Sequence, residues 1–291
     1  MSATMKIESL RSLSLIYSNP MLRNILSDNN LSSIENRLSR HRDCLGLTKE
    51  YNQFIDILSS IYESMTENYC NEYIYKNTIL NEMIINQYSF ETTTLLNEFK
   101  ISKSIADLVF VNGEVRLFEI KTDLDTLIRL NSQLEDYRKA VEKIFIVTSY
   151  KYISQISEMY KDSSYGIIEL GKDHILRPIK DAISDKAYFE HEVIFKILRK
   201  NEYLDIIRNE FGYVPNVPNT LIFRKCLELV KELDVVKFQD LTFKKLKHRK
   251  LNEPDLLIDS NTPQELRFLC HSLNMDRDQY HTLFHLLKSV I

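Results

Sequence analysis

Residues 104–122 read SIADLVFVNGEVRLFEIKT. Two apolar, β-branched runs flank Asn112-Gly113, the strongest short signal for a β-hairpin. Leu117, Phe118 and Ile120 fill the returning strand, yet Glu119 and Lys121 stand among them. Strand side chains alternate between faces, so Glu119 and Lys121 leave the same one. Asp107 lies on the strand before the turn. Two carboxylates on neighbouring strands can hold a hard divalent cation. A lysine beside them positions an attacking water and stabilises developing negative charge. The pattern is a layout for metal-assisted hydrolysis of a phosphodiester.

The register decides whether this layout exists. A strict two-residue turn pairs Val111 with Glu114, and therefore Asp107 with Phe118. Directly opposed residues share a face, so that register leaves Asp107 on the wrong face from Glu119. The site requires a one-residue departure, expected as a bulge between Ile105 and Asn112 or at the turn.

The pattern changes on either side of the hairpin. Upstream, residues 5–88 read as helices: Leu10, Leu13, Ile16 and Tyr17 recur at helical spacing, as do Tyr51, Phe54, Ile55, Leu58, Ile61 and Tyr62 over residues 48–67. A third helix is expected over residues 71–86. The stretch FETTTLLNEFKI, from Phe90, is rich in β-branched residues and predicts a strand. Downstream, DTLIRLNSQLEDYRKAVE carries Leu127, Leu130, Leu134, Tyr137 and Val141 on one side of a helix. KIFIVTS is a short apolar strand, followed by a helix near residues 152–160 and the strand YGIIEL. Beyond Ser184 the chain returns to helices, interrupted at Pro215 and Pro218 and at Pro254 and Pro263. The expected fold class is α+β, an α-β-β-β-α-β core with a small mixed sheet. The expected domains are an N-terminal helical region (1–70), the core (71–180) and a C-terminal helical region (181–291).

Composition narrows the class. With 291 residues, 44% hydrophobic content and no long apolar run, the chain is expected to be soluble, with no membrane partner. A net charge of −3 excludes a polycation that coats nucleic acid along its whole length. Cys44, Cys70, Cys226 and Cys270 show no CxxC spacing, and the N-terminus has no compact apolar segment. Both fit a reducing cytoplasm.

Ala106-Asp107 followed by Glu119-Ile120-Lys121 resembles the split signature of the PD-(D/E)xK nuclease superfamily. The superfamily's core has the same α-β-β-β-α-β order, the restriction-endonuclease-like fold. Gln133-x-x-x-Tyr137 is similar to the QxxxY motif of its RecB-like members. The stretch 71–149 also resembles a sparsely characterised bacterial family within it, through NEYIYKN, LLNEFKISKSIADLVFVNG, FEIKTDLDTLIRL and QLEDY. The resemblance implies Asp107 and Glu119 as ligands of Mg2+ or Mn2+, with the Ile120 backbone carbonyl as a third. It implies Lys121 as the catalytic lysine, with Gln133 and Tyr137 facing the site. An extra acidic ligand would be Glu98 or Glu82, with Glu72 a few turns earlier. Ala106 stands where the signature has proline. The implied activity is a metal-dependent nuclease acting on DNA, with RNA second, in defence against foreign DNA or in repair. The alternative is a nuclease-like module, weak in catalysis, that binds nucleic acid or a partner protein in a defence or toxin system. Nucleases of this fold often pair, so a homodimer is a further alternative.

Other residues have competing readings. Asp125 is expected to cap the next helix; Asp123 caps or reaches a second metal. Arg129 contacts a phosphate or pairs with Asp125. Lys244, Lys245, Lys247, Arg249 and Lys250, with Arg40, His41 and Arg42, form a candidate phosphate-contact surface, against the plainer reading of a solvated helix face. Tyr69, Tyr73 and Tyr75 stack on bases or pack between helices, the commoner case. His281 and His285, near Cys270 and His271, make an incomplete zinc set on an ordinary buried helix.

Overall fold

A computed structural model describes residues 3–41 and 53–291. Arg42, Cys44 and the first part of the helix expected over 48–67 lie outside the described residues. The chain divides into two compact units, one of residues 91–171 and 177–250, the other of residues 1–90, 172–176 and 251–291. This cuts the chain differently from three consecutive domains. Residues 71–90 and residues 251–291 join the N-terminal helices, because the apolar faces of all three bury into one core.

The sheet has β1 (Thr94–Ile101), β2 (Ser104–Asn112), β3 (Glu114–Lys121), β4 (Lys143–Ser149), β5 (Gly166–Leu170) and β6 (Leu176–Lys180), in that spatial order, and all of it but Leu176 belongs to the first of these units. β1, β2 and β3 are antiparallel; β3, β4 and β5 are parallel. The fold is mixed α+β. Parallel strands are covered on both faces, so they read as continuous apolar runs. Accordingly, Ile144, Phe145, Ile146 and Val147 of β4 are all buried. β6, LRPIK, is not legible in the sequence, because proline and flanking charges are edge-strand residues that also mark loops. Helices His191–Ile197, Lys200–Phe211, Asn219–Val230 and Val235–Leu246 complete the core of this unit. Arg249 clasps Glu202 with two hydrogen bonds of 2.8 and 2.6 Å.

At the hairpin, Gly113 alone forms the tip, with φ of 72°. Asn112 pairs with Glu114 and Val111 with Val115. The expected pairing of Val111 with Glu114 is therefore replaced by one shifted a single residue. β2 runs regularly against β3 from Asn112 to Leu108, so the departure is at the turn and no bulge is needed. The ladder ends at Leu108 opposite Phe118. One step further, the same offset brings Asp107 level with Glu119.

The helix after β3 is shorter than the periodicity suggests, Leu130–Tyr137. Asp125 does not cap it. Its carboxylate accepts the Thr122 backbone N–H at 2.9 Å and hydroxyl at 2.8 Å, which closes a local turn. In the other unit, Phe54–Asn68 packs with Ala3–Leu13, Asn19–Asp28 and Ser32–Leu38, and with Arg267–Leu273 and Arg277–Leu287. The helix expected over 71–86 is α-helical only from Glu72 to Thr78 and then π-helical from Ile79 to Ile85.

Candidate active site

The end of β3 carries a buried polar cluster. Glu119 is 1% exposed, Lys121 7% and Tyr137 0%. Lys121 Nζ donates to Glu119 Oε1 at 2.6 Å and to Gln133 Oε1 at 3.0 Å. The Tyr137 hydroxyl lies 2.8 Å from Glu119 Oε2 and 2.7 Å from the Ile105 carbonyl oxygen, one proton between two acceptors. Burial, and then the negative charge of Glu119, push the Tyr137 pKa far up, so the phenol stays protonated. Gln133 and Tyr137 are four apart, one face of the helix. That helix buries Leu130 and Leu134 against the sheet face of Val109, Val115 and Leu117, the face that also carries Asp107 and Glu119.

Asp107 is half-buried. Its Oδ2 accepts the Ile120 backbone N–H at 2.6 Å, a charge-assisted bond that takes over where the ladder stops. Asn97 pairs with Leu108 and Phe99 with Ala106, which leaves Glu98 level with Asp107. Glu98 is exposed and has left-handed backbone, φ 49°, a conformation costing a non-glycine residue on the order of 1–3 kcal/mol. Thr148 has a sequence signal only as the polar end of KIFIVTS. It is level with Lys121 and donates its hydroxyl to the Lys121 carbonyl at 2.9 Å.

The donor set of Asp107, Glu119 and the Ile120 carbonyl is all hard oxygen, which suits Mg2+ or Mn2+. Among the described residues no group of three or more His, Cys, Asp or Glu side chains is placed to hold a metal. A cation here would rest on two carboxylates and backbone or solvent oxygen.

The remaining candidates are placed as follows. Glu82 belongs to the other unit, where its Oε2 accepts the Leu176 N–H at 3.2 Å. Glu72 pairs with Lys76 at 2.6 Å. Asp123 accepts the Ser149 hydroxyl. Arg129 is exposed just before its helix and makes no ion pair with Asp125. Arg249 is consumed by Glu202, and Lys245 lies 3.6 Å from Asp205. Lys244 and Lys250 are exposed and Lys247 half-exposed. His41 contacts Ser9 Oγ at 3.2 Å. Tyr73 packs on Tyr17 at 5.0 Å, and Tyr75 is 1% exposed, so these rings are interior packing. His281 and His285 are exposed on a helix whose Leu283, Leu286 and Leu287 are buried.

His271 is buried between Phe268 and Phe90, and its Nδ1 meets no partner among the described residues. Burial lowers its pKa to about 4. The folded value lies below that of the unfolded chain, so the unfolded state binds the extra proton as the pH falls. Stability should be full above roughly pH 6.5, fall by about 2 kcal/mol between pH 7 and 5, and level off below about pH 4. Urea unfolding across this range, with His271→Phe as the variant that loses this slope, checks it.

The fold and this cluster define a class: a mixed α+β protein whose antiparallel hairpin and parallel strands converge on a buried acid–lysine–tyrosine constellation. The chain belongs to the bacteriophage P4 protein cII family, whose model matches residues 65–270. Protein cII of Enterobacteria phage P4 is 29% identical over 189 residues, 61% of this chain and 64% of the relative. The chain thus covers slightly less than two thirds of that relative's length. No solved structure matches. No helix among the described residues is long and apolar enough to cross a membrane.

Proposed function

We propose that this protein is a divalent-metal-dependent nuclease of the PD-(D/E)xK kind, with a restriction-endonuclease-like core built on β1–β3, the helix Leu130–Tyr137 and β4. The observation that carries the reading is the register. The single-residue tip at Gly113 puts Asp107 level with Glu119, on the face from which Lys121 and Tyr137 meet Glu119. Asp107, Glu119 and the Ile120 carbonyl would hold Mg2+ or Mn2+, which when bound polarises the scissile phosphate. Lys121 keeps one of its three N–H donors for the attacking water or the phosphate, the other two being held by Glu119 and Gln133. Tyr137 and Gln133 hold Glu119 and Lys121 in one rotamer each, which preorganises the charge. The substrate is DNA, with RNA second, and cytoplasmic defence against foreign DNA is the context proposed. Incubation of plasmid, linear and single-stranded DNA and of RNA with Mg2+ or Mn2+ tests the reading. Cleavage of none of them would remove it.

A second reading rests on a specific observation: both carboxylates are already satisfied from within, Asp107 by an N–H and Glu119 by Lys121 and Tyr137. Such a cluster can serve as an internal clamp in a module that binds nucleic acid or a partner protein without cutting. Binding itself has a test. Charge reversal at Lys244, Lys247 and Lys250 should weaken oligonucleotide binding and flatten its salt dependence by up to about 0.9 in slope per lost phosphate contact. An unchanged slope would show these lysines to be a solvated helix end.

A further inference from the structure

The helical unit contains a cavity of about 400 Å³, apart from the cluster on the sheet and independent of the nuclease reading. One wall is the π-helical segment Ile79–Ile85, which lets Asn77, Asn81, Glu82 and Asn86 border the same space. π-helical turns are rare and concentrate at functional sites. Gln264, Glu265 and Arg267 border it too, with Tyr62, Thr78 and His174 completing the lining.

The lining is held in place by its own network. Asn77 Nδ2 donates to Tyr62 Oη at 2.8 Å and to the Gln264 carbonyl at 3.0 Å, and Asn77 Oδ1 accepts the Phe268 N–H at 3.0 Å. Asn81 Oδ1 accepts from Arg267 Nη1 at 3.0 Å, which fixes the guanidinium. Yet much of the polar capacity around the cavity is unspent. Glu265 uses one oxygen, Oε1, for the Ser59 hydroxyl, and Glu82 uses Oε2 for a backbone N–H. Arg267 forms no ion pair with any described residue, and its Nε meets no acceptor. His174 Nδ1 also has no hydrogen-bond partner among the described residues, on a residue with left-handed backbone, φ 60°.

Three formal charges border one cavity, none in an ion pair with a described residue, and Glu265 lies within electrostatic reach of Arg267; together they constrain the occupant. A bare phosphate would meet two carboxylates, and a simple cation would meet the guanidinium. An apolar ligand would leave every one of these groups desolvated and unpaired. What fits is a small, neutral, planar molecule with an acceptor edge for Arg267 and a donor edge for Glu82 and Glu265. Guanine has both: O6 and N7 accept from arginine, while N1–H and the N2 amino group donate to carboxylates. The volume is within the range of ligand pockets, roughly 300–1,000 Å³.

We propose that this cavity binds a guanine base, with Arg267 reading its acceptor edge and Glu82 and Glu265 its donor edge. The base comes either from a free guanine nucleotide or from a nucleic-acid strand, and the two are separated by the probes. Titration calorimetry of the full chain with GMP, IMP and AMP, and with guanine-containing and guanine-free oligonucleotides, tests it. GMP should bind, and IMP, lacking the N2 amino group, should bind roughly 10-fold more weakly. Arg267→Met should lower GMP affinity by a similar factor. Asn86→Ala, at an exposed position, should lower it while leaving the melting temperature unchanged, which guards against a folding artefact at Arg267. Binding of the guanine oligonucleotide but not GMP would identify a strand as the source, and the reverse a free nucleotide; both support the site. AMP binding as tightly as GMP, or no binding by any guanine probe at millimolar concentration, would overturn it.

Discussion

On the proposed nuclease reading, Lys121→Met is expected to lower Mg2+-dependent phosphodiester cleavage by at least about 10²–10³-fold, the scale seen when one preorganised donor is removed from a developing charge. Lys121 is 7% exposed and held by two acceptors, so its side chain pays little orientation entropy when charge develops. Methionine keeps the length and removes the charge. Binding of an oligonucleotide without divalent metal should stay within about 2-fold, because a contact made only in the transition state costs kcat and not affinity. Unchanged turnover by a folded Lys121→Met protein would take the lysine out of the mechanism. Asp107→Asn should also abolish cleavage. It keeps an acceptor for the Ile120 N–H, so its loss of activity would report the missing charge rather than a broken strand pair.

Glu119→Leu is expected to destabilise the sheet-bearing unit by about 3–5 kcal/mol, the cost of leaving one member of a buried ion pair unmatched. Glu119 is 1% exposed, and its two oxygens serve Lys121 and Tyr137. Its loss strands the ammonium, leaving it only Gln133. The double variant Glu119→Leu/Lys121→Leu should recover most of the stability, since replacing both charges of a buried pair by apolar groups is often neutral or favourable. Chemical denaturation followed by circular dichroism reads both. A double variant no more stable than Glu119→Leu would show that the pair is not a closed unit, and that Tyr137 or Asp107 carries the coupling. Recovery of fold with complete loss of cleavage would place the pair in the protein for chemistry rather than for stability.

The hairpin shows how far the sequence could be followed. Asn112-Gly113 between β-branched runs announced two antiparallel strands, and alternation placed Glu119 and Lys121 on one face. The pairing of Asp107 with Glu119 was not legible, because a one-residue change in the turn inverts the faces of a whole strand. That choice lies in the left-handed backbone of Gly113 and in the packing of Val109, Val111, Val115 and Leu117 into one core. The QxxxY spacing similarly predicted that Gln133 and Tyr137 share a face. Only the docking of Leu130 and Leu134 decided that this face meets Glu119 and Lys121. The shorter helix came from a competition sequence periodicity does not register: the Asp125 carboxylate bonds Thr122 and closes a turn instead.

The division into units was less accessible still. Residues 251–291 and residues 1–90 bury their apolar faces together, a pairing across most of the chain that leaves no local signature. The π-helical segment is equally silent, since its apolar residues fit an α-helical period until tertiary contacts widen the turn. By itself, then, the sequence determined strands β1 to β5, the same-face placement of Glu119 with Lys121 and of Gln133 with Tyr137, and the position of the reversal at Gly113. Those follow from short-range rules, a period of two, a period of 3.6 and a residue without a Cβ. Tertiary structure decided the register that levels Asp107 with Glu119, the helix face that closes on them, and the cavity around Arg267. Each of these depends on burying apolar area between segments distant in sequence, and no local rule encodes which distant segment will be there.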